Sequence, residues 1–159
     1  MLLKTILNRV QKFKSFIYGN VKWVDTGGVP ELDIEILARS NSKPICSICG
    51  RKGSGYDRLA ERRFEFIPMW GIKVFFRYAP RRVDCYCCGI HVEKMPWSKG
   101  KRRLTENYAW FLSSWAKRLS WKETAEAFHT TWDHVFCSVE MAVKWGKENR
   151  DLADIKAIG

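Results

Sequence analysis

Acidic side chains are scarce in this sequence: 17 Asp and Glu stand against 28 Lys and Arg, which leaves a net charge of +11. No apolar run is long enough to span a membrane, and Lys4, Arg9 and Lys12 interrupt the N-terminal apolar stretch, so no secretory signal is visible. The sequence has no nucleophile beside a base and no clustered carboxylates, so an enzyme is the least favoured class. These absences favour a cytoplasmic protein with an anionic partner, nucleic acid first and acidic lipid second.

The composition is that of a folded chain, since 46% of the residues are hydrophobic and 14% are aromatic. A length of 159 residues allows one ordinary domain or two small ones.

Six cysteines are present, and two Cys-x-x-Cys-Gly motifs stand at 46–50 and 85–89. This spacing lets two thiolates bind one ion from one tight turn, and the glycine tolerates the positive φ of that turn. Two such motifs supply the four thiolates of a tetrahedral structural zinc site. The predicted zinc ligands are Cys46, Cys49, Cys85 and Cys88.

The six cysteines allow other interpretations. Two disulfides would suit a secreted protein, and a thioredoxin-like redox pair would need a βαβ context, neither of which the sequence indicates. Cys87 and His91 lie close enough to compete as ligands. The repeated Cys-x-x-Cys-Gly register favours Cys88, so His91 is interpreted as a strand residue and Cys87 has no assigned role.

Between the motifs, Phe64 and Phe66 alternate with charged residues, and apolar residues alternate again from Ile72 to Tyr78 after a turn-like stretch. This pattern predicts a β-hairpin. A hairpin between two Cys-x-x-Cys-Gly motifs, or zinc knuckles, predicts an elongated zinc ribbon over 31–97. Apolar residues at helical spacing predict an N-terminal helix and turn over 1–30, for docking or the core rather than a membrane surface. The flanking arginines would form a DNA footprint if they shared one face, and a solvated surface otherwise; they are Arg58, Arg62, Arg63, Arg77, Arg81 and Arg82.

A basic linker, predicted to be flexible, follows at 98–103, and helical periodicity begins at Leu104. Ser120 and Glu123 form the capping box of a second helix, and Thr130 or Thr131 can cap a third. The short turn between these helices predicts a helix-turn-helix over 104–150, with the third helix in a DNA major groove. The predicted DNA contacts are Lys99, Lys101, Arg102, Arg103, Lys122, Thr131, Asp133, His134 and Ser138.

These motifs, with the runs Arg81–Cys85, Leu119–Trp121 and Thr131–Asp133, resemble the N-terminal half of ISL3-family insertion-sequence transposases. The resemblance implies binding of the terminal inverted repeats, with the catalytic carboxylates in a following RNase H-like domain. Residues 151–159 resemble the truncated start of that domain's first strand. The chain stops before the carboxylates, so no catalytic residue is carried over.

In chain order the patterns predict an α+β protein with an N-terminal helix, a zinc-ribbon β-hairpin domain and an all-α helix-turn-helix bundle. The predicted function is the DNA-binding portion of a transposase, acting at the nucleoid on double-stranded element ends. A second copy or the full-length transposase are further candidate partners, and no membrane partner is expected. The alternative is a zinc-ribbon adaptor between proteins or a transcriptional regulator, with recognition by aromatic side chains.

Overall fold

The computed structural model describes residues 3–25 and 27–150, so the expected strand at 151–159 lies outside the described residues. The chain divides into two compact units between Glu106 and Asn107. The described elements, in order, are α1 Leu3–Val10, β1 Phe16–Val24, β2 Glu31–Ala38, β3 Ser54–Arg58, β4 Arg62–Met69, β5 Ile72–Tyr78, β6 Arg81–Cys85, β7 Gly89–Val92, α2 Glu106–Trp115, α3 Trp121–Ala127 and α4 Trp132–Asn149.

The first unit has a four-stranded sheet in the order β1-β2-β5-β4, in which only the β2–β5 pair is parallel. One face of this sheet carries the main hydrophobic core, because apolar residues alternate along each strand. Trp97 lies in that core and is 1% exposed, with its ring 4.9 Å from that of Phe16 and 5.2 Å from that of Tyr78. The sheet is therefore held by apolar burial and needs no metal ion.

The β4–β5 hairpin predicted from the sequence is present, and it turns through Trp70 and Gly71. Both turn residues have positive φ, 51° and 78°, as a two-residue type I′ turn requires. Glycine adopts this conformation without strain at the second position.

The predicted architecture of a zinc ribbon followed by an all-helix bundle is wrong. The β4–β5 hairpin pairs with β2 rather than with the cysteine segments, and β2 pairs with β1. The second cysteine motif is the β6–β7 turn of a separate three-stranded antiparallel sheet in the order β3-β6-β7, and the first motif precedes β3. Strand β1 was missed in the interval interpreted as helix and turn, because a bulge between Tyr18 and Val21 breaks its alternation.

The last two helices, α3 and α4, begin where local signals in the sequence place them. Ser120 caps α3 with both bonds of a capping box to Glu123, as predicted. Thr131 caps α4, and its side chain accepts a hydrogen bond from the His134 N–H. Within 3–25 and 27–150, no helix combines the length and the apolarity needed to cross a membrane.

Candidate metal centre and basic surfaces

The first cysteine motif forms a tight turn closed by its own backbone. The Cys46 N–H donates to the Arg51 carbonyl at 2.8 Å, and the Gly50 N–H donates to the Cys46 carbonyl at 3.0 Å. Gly50 has φ 72°, the left-handed conformation that the motif's glycine was expected to supply. The turn therefore presents the sulfurs of Cys46 and Cys49 from one short loop.

The second motif is the turn of the β6–β7 hairpin. Cys85 pairs with Gly89 at the end of the ladder, and the Cys88 N–H donates to the Cys85 carbonyl at 3.3 Å. Gly89 has φ 79°, so this glycine has the same role as Gly50. Two similar turns, one before β3 and one between β6 and β7, thus bring their cysteines together.

The sulfurs of Cys46, Cys49, Cys85 and Cys88 all lie within 4.8 Å of one another. The sulfurs of Cys49 and Cys85 are 3.4 Å apart. In a tetrahedral zinc site, Zn–S bonds of about 2.3 Å place neighbouring sulfurs about 3.8 Å apart. The four predicted ligands are therefore brought together, and they could hold one metal ion.

Backbone N–H groups of the turns favour the thiolate form of the two buried cysteines, Cys46 and Cys85. The pKa of Cys85 is lowered to about 7, first by the Cys87 N–H and then by the Cys49 side chain. The Cys49 and Ile48 N–H groups lower the pKa of Cys46. The pKa of Cys88 is raised to about 12, first by its hydrogen bond with Cys49 and then by burial. The turns thus favour the thiolate form at Cys46 and Cys85, and a bound cation would favour it at Cys49 and Cys88 as well.

The two competing side chains lie outside this cluster. His91 lies in β7, as interpreted from the sequence, and its Nε2 is 2.7 Å from the Cys88 carbonyl oxygen. Cys87 is exposed, and its sulfur accepts a hydrogen bond from Arg51 Nη1 at 2.9 Å. Arg51 thereby connects the first turn to the second.

A buried ion network that sequence reasoning missed supports the metal centre. The backbone of Glu93 forms an isolated antiparallel β-bridge with that of Cys46. The Glu93 carboxylate forms an ion pair with Arg81 at 2.7 Å. The same carboxylate accepts hydrogen bonds from the Tyr78 hydroxyl and the Arg81 N–H. Burial, and then Glu93, raises the pKa of Tyr78. The network ties β5 and β6 to the segment beside the first cysteine turn.

The arginines that flank the hairpin do not form an open cationic surface for DNA. Four of the six have carboxylate partners, so much of their charge is neutralised within the protein. These ion pairs are Arg63 with Glu31 and Asp33, Arg77 with Glu61 and Asp33, Arg81 with Glu93, and Arg82 with Asp57.

The basic segment 98–103 was expected to be a flexible linker, but its backbone is bonded to the four-stranded sheet. The Arg103 carbonyl accepts a hydrogen bond from the Glu65 N–H at 2.7 Å, and the Lys101 carbonyl accepts one from Arg62 Nη2 at 2.8 Å. The Arg102 carbonyl accepts one from the Ser98 hydroxyl. The side chains of 101–103 remain exposed, so they form a cationic ridge on an anchored backbone.

Lys99 differs from its neighbours in the ridge. Its ammonium group pairs with Glu106 at 2.9 Å, although its side chain is largely exposed. An exposed pair of this kind is weak, but the Glu106 carboxylate partly offsets the positive charge of Lys99.

The DNA contacts predicted on α3 and α4 differ in how exposed their side chains are. Lys122, Thr131 and Asp133 are exposed, and half-buried His134 has its Nδ1 3.0 Å from the Thr130 hydroxyl. Ser138 is 1% exposed and donates to the His134 carbonyl, so the prediction that it faces DNA is wrong. Ser138 lies three residues after buried Val135, so both side chains point inward from the same face of α4.

Comparison of the chain with protein-family models, with curated proteins and with solved structures finds no match.

Proposed function

We propose that the chain is a DNA-binding module, the part of an insertion-sequence transposase that binds the element's terminal repeats. The observation that carries this proposal is the ridge of Lys101, Arg102 and Arg103, which is exposed and cationic on a backbone bonded to the sheet. Anchored cations can meet phosphates without first losing backbone entropy. The net charge of +11 supports an anionic partner.

The metal in this proposal is zinc, and its role is structural. Four thiolates from two tight turns suit a closed tetrahedral site, which leaves no position for a catalytic water. The three-stranded sheet buries few apolar side chains, so the ion would replace the missing core. Zinc would tie the first cysteine turn to the β6–β7 hairpin.

Base choice is assigned to the start of α4. Recognition helices usually meet base edges near their N-terminal ends, where Asp133 is exposed and His134 half-buried. Changing His134 to Ala is expected to weaken binding to a preferred site by about 1–3 kcal/mol if its ring contacts a base. Binding to random duplex is expected to change little.

The test is the salt dependence of binding to a duplex of mixed sequence. The triple variant Lys101→Ala, Arg102→Ala, Arg103→Ala should flatten the slope of log K against log salt by about 0.9 per lost phosphate contact. Lys99→Ala is the matched comparison in the same segment, and its effect should be smaller because Glu106 already pairs with it. An unchanged slope in the triple variant would contradict the proposal.

A protein adaptor is the second candidate, and exposed aromatic side chains of the helical unit favour it. Trp132 and Phe136 stack with centroids 5.4 Å apart while remaining 49% and 39% exposed. An apolar groove of about 370 Å³ between α2 and α4 includes Trp110 and Trp145. An adaptor would bind a protein with little dependence on salt and would show no DNA affinity, which separates it from the first proposal.

A further inference from the structure

A second set of cations surrounds the metal centre, and we call Lys43, Arg51, Lys52 and Lys94 the knuckle rim. All four side chains are exposed. Among the described residues, none of them takes part in an ion pair, in contrast to the arginines around the hairpin. The rim is therefore a source of positive charge that the fold leaves available.

Strand pairing decides which way two of these lysines face. Ile45 pairs with Lys52, Cys46 pairs with Glu93, and the Lys94 N–H donates to the Ile45 carbonyl at 2.7 Å. Cys46 and Glu93 are buried, at 0% and 2% exposure, so their neighbours along the chain face the opposite side. Lys52 and Lys94 thus flank Ile45 on the outer face, about 10 Å apart across two strand spacings.

The backbone that carries the rim is closely packed. The Gly53 N–H donates to the Pro44 carbonyl at 3.1 Å, next to Lys52. A Cβ atom at Gly53 would lie 2.5 Å from the Asp84 carbonyl oxygen, so only glycine allows this approach of the first turn to β6. The rim's positions therefore depend on the same turns that the metal ion would hold together.

Because Lys52 and Lys94 point outward, they are not placed to balance the charge of the metal centre. Four thiolates around a divalent ion carry a net charge of about −2, which nearby cations can balance. Arg51 is suited to that role, since it bonds the exposed sulfur of Cys87. Lys52 and Lys94 lie on the face away from Cys46, so their charge is directed to solvent or to a partner. Exposed Asp84, on β6, lies opposite Ser54 in the β3–β6 ladder, and among the described residues it takes part in no ion pair.

The tip of the second turn extends the surface. Tyr86 is fully exposed, at 103%, and follows Cys85 directly. A phenol hydroxyl can donate a hydrogen bond to a phosphate oxygen. Arg51 reaches the neighbouring Cys87, which connects this tip to the rim.

We propose that the knuckle rim is a second contact with duplex DNA, in which Lys52 and Lys94 bind backbone phosphates, and that the metal ion holds this contact in place. This inference rests on the proposed function and adds a site separate from the ridge at 101–103. The contact supplies affinity without sequence choice, because phosphates are the same at every base pair.

The experiment measures salt-dependent binding of the full metal-loaded chain to a mixed-sequence duplex. The variant Lys52→Ala, Lys94→Ala should keep its metal content and lower the salt slope by about 1.8, the value for two phosphate contacts. The matched control is Lys144→Ala, Lys147→Ala, which removes the same charge from the last turns of α4 and should leave the slope nearly unchanged. Equal slopes for the rim variant and the wild type would overturn the inference.

Two further measurements separate the inference from the function on which it rests. Chelation of the wild type should lower its slope to that of the rim variant and leave the contribution of 101–103 in place. An unchanged slope after complete metal removal would overturn the dependence on metal. If the rim variant is normal while the ridge variant is impaired, the proposed function stands without the rim; if wild type binds no duplex, both fall.

Discussion

Removing the metal ion is expected to unfold the three-stranded sheet while the four-stranded sheet stays folded. The perturbation is Cys88→Ser, with Cys87→Ser and Cys137→Ser as matched single-thiol controls outside the four-sulfur cluster. Cys88→Ser should lose the ion, and both controls should retain one ion per chain. The physical reason lies in how differently the two sheets are stabilised.

The small sheet has too little apolar burial to fold unaided. Among the described residues, the buried cluster at this sheet and the first cysteine turn consists of Cys46, Val83 and Cys85, with Cys88 partly buried against it, although the strands have five, five and four residues. Burying a valine contributes about 1.5–3 kcal/mol. Ordering the backbone of each residue costs about 1–2 kcal/mol. Zinc bound to four thiolates contributes about 10–16 kcal/mol, enough to decide whether this sheet forms.

The assay is hydrogen exchange with metal analysis of the same samples. In Cys88→Ser, the N–H groups of Cys46, Gly50 and Gly53 should lose protection, because their acceptors lie in the first turn and its flanks. Amides of β4 and β5 should keep protection, since fully buried Phe64 and Phe76 hold that hairpin. Retained protection of the turn amides in metal-free protein would refute the reasoning. Full metal content in Cys88→Ser with loss in Cys87→Ser would move the ligand to Cys87.

Three further substitutions test other parts of the structure. Glu93→Gln should lower the free energy of unfolding by about 3–5 kcal/mol in chemical denaturation, because it removes the charged partner of buried Arg81. A decrease below about 1 kcal/mol would show that the network is dispensable. Ser120→Ala should cost about 1 kcal/mol through loss of the α3 cap, with Ser114→Ala, at an exposed helix position, as control in thermal melts. Ser138→Ala should leave DNA affinity unchanged in a binding titration, since that hydroxyl is buried; a loss of base preference would place it at the interface after all.

Much of the local structure followed from short sequence signals. The two Cys-x-x-Cys-Gly motifs predicted both turns, because only glycine adopts their positive φ at little cost. Period-two alternation predicted the β4–β5 hairpin, and the Ser120–Glu123 spacing predicted the start of α3. Each signal involves residues a few positions apart, so it does not depend on the rest of the fold. The convergence of the four sulfurs also followed, since a shared ion was the reason for their spacing.

Strand partnership was not predictable in the same way. The hairpin lies between the cysteine motifs in sequence, and this suggested one elongated ribbon. The hairpin's apolar face instead packs with β1 and β2 around Trp97, because that pairing buries far more apolar surface than the cysteine turns could offer. Alternation within a strand indicates which face of the strand is apolar, but it does not indicate which other strand will pair with it.

By itself, the sequence determined the cysteine turns, the four cysteines that could hold a metal ion, the starts of α3 and α4, and the excess of positive charge. Only the tertiary structure decided which of those charges remain available. It paired Arg63 and Arg77 with carboxylates, and it left Lys52 and Lys94 without ion pairs among the described residues. The physical reason is that an ion pair depends on distances between residues far apart in the chain, and packing sets those distances.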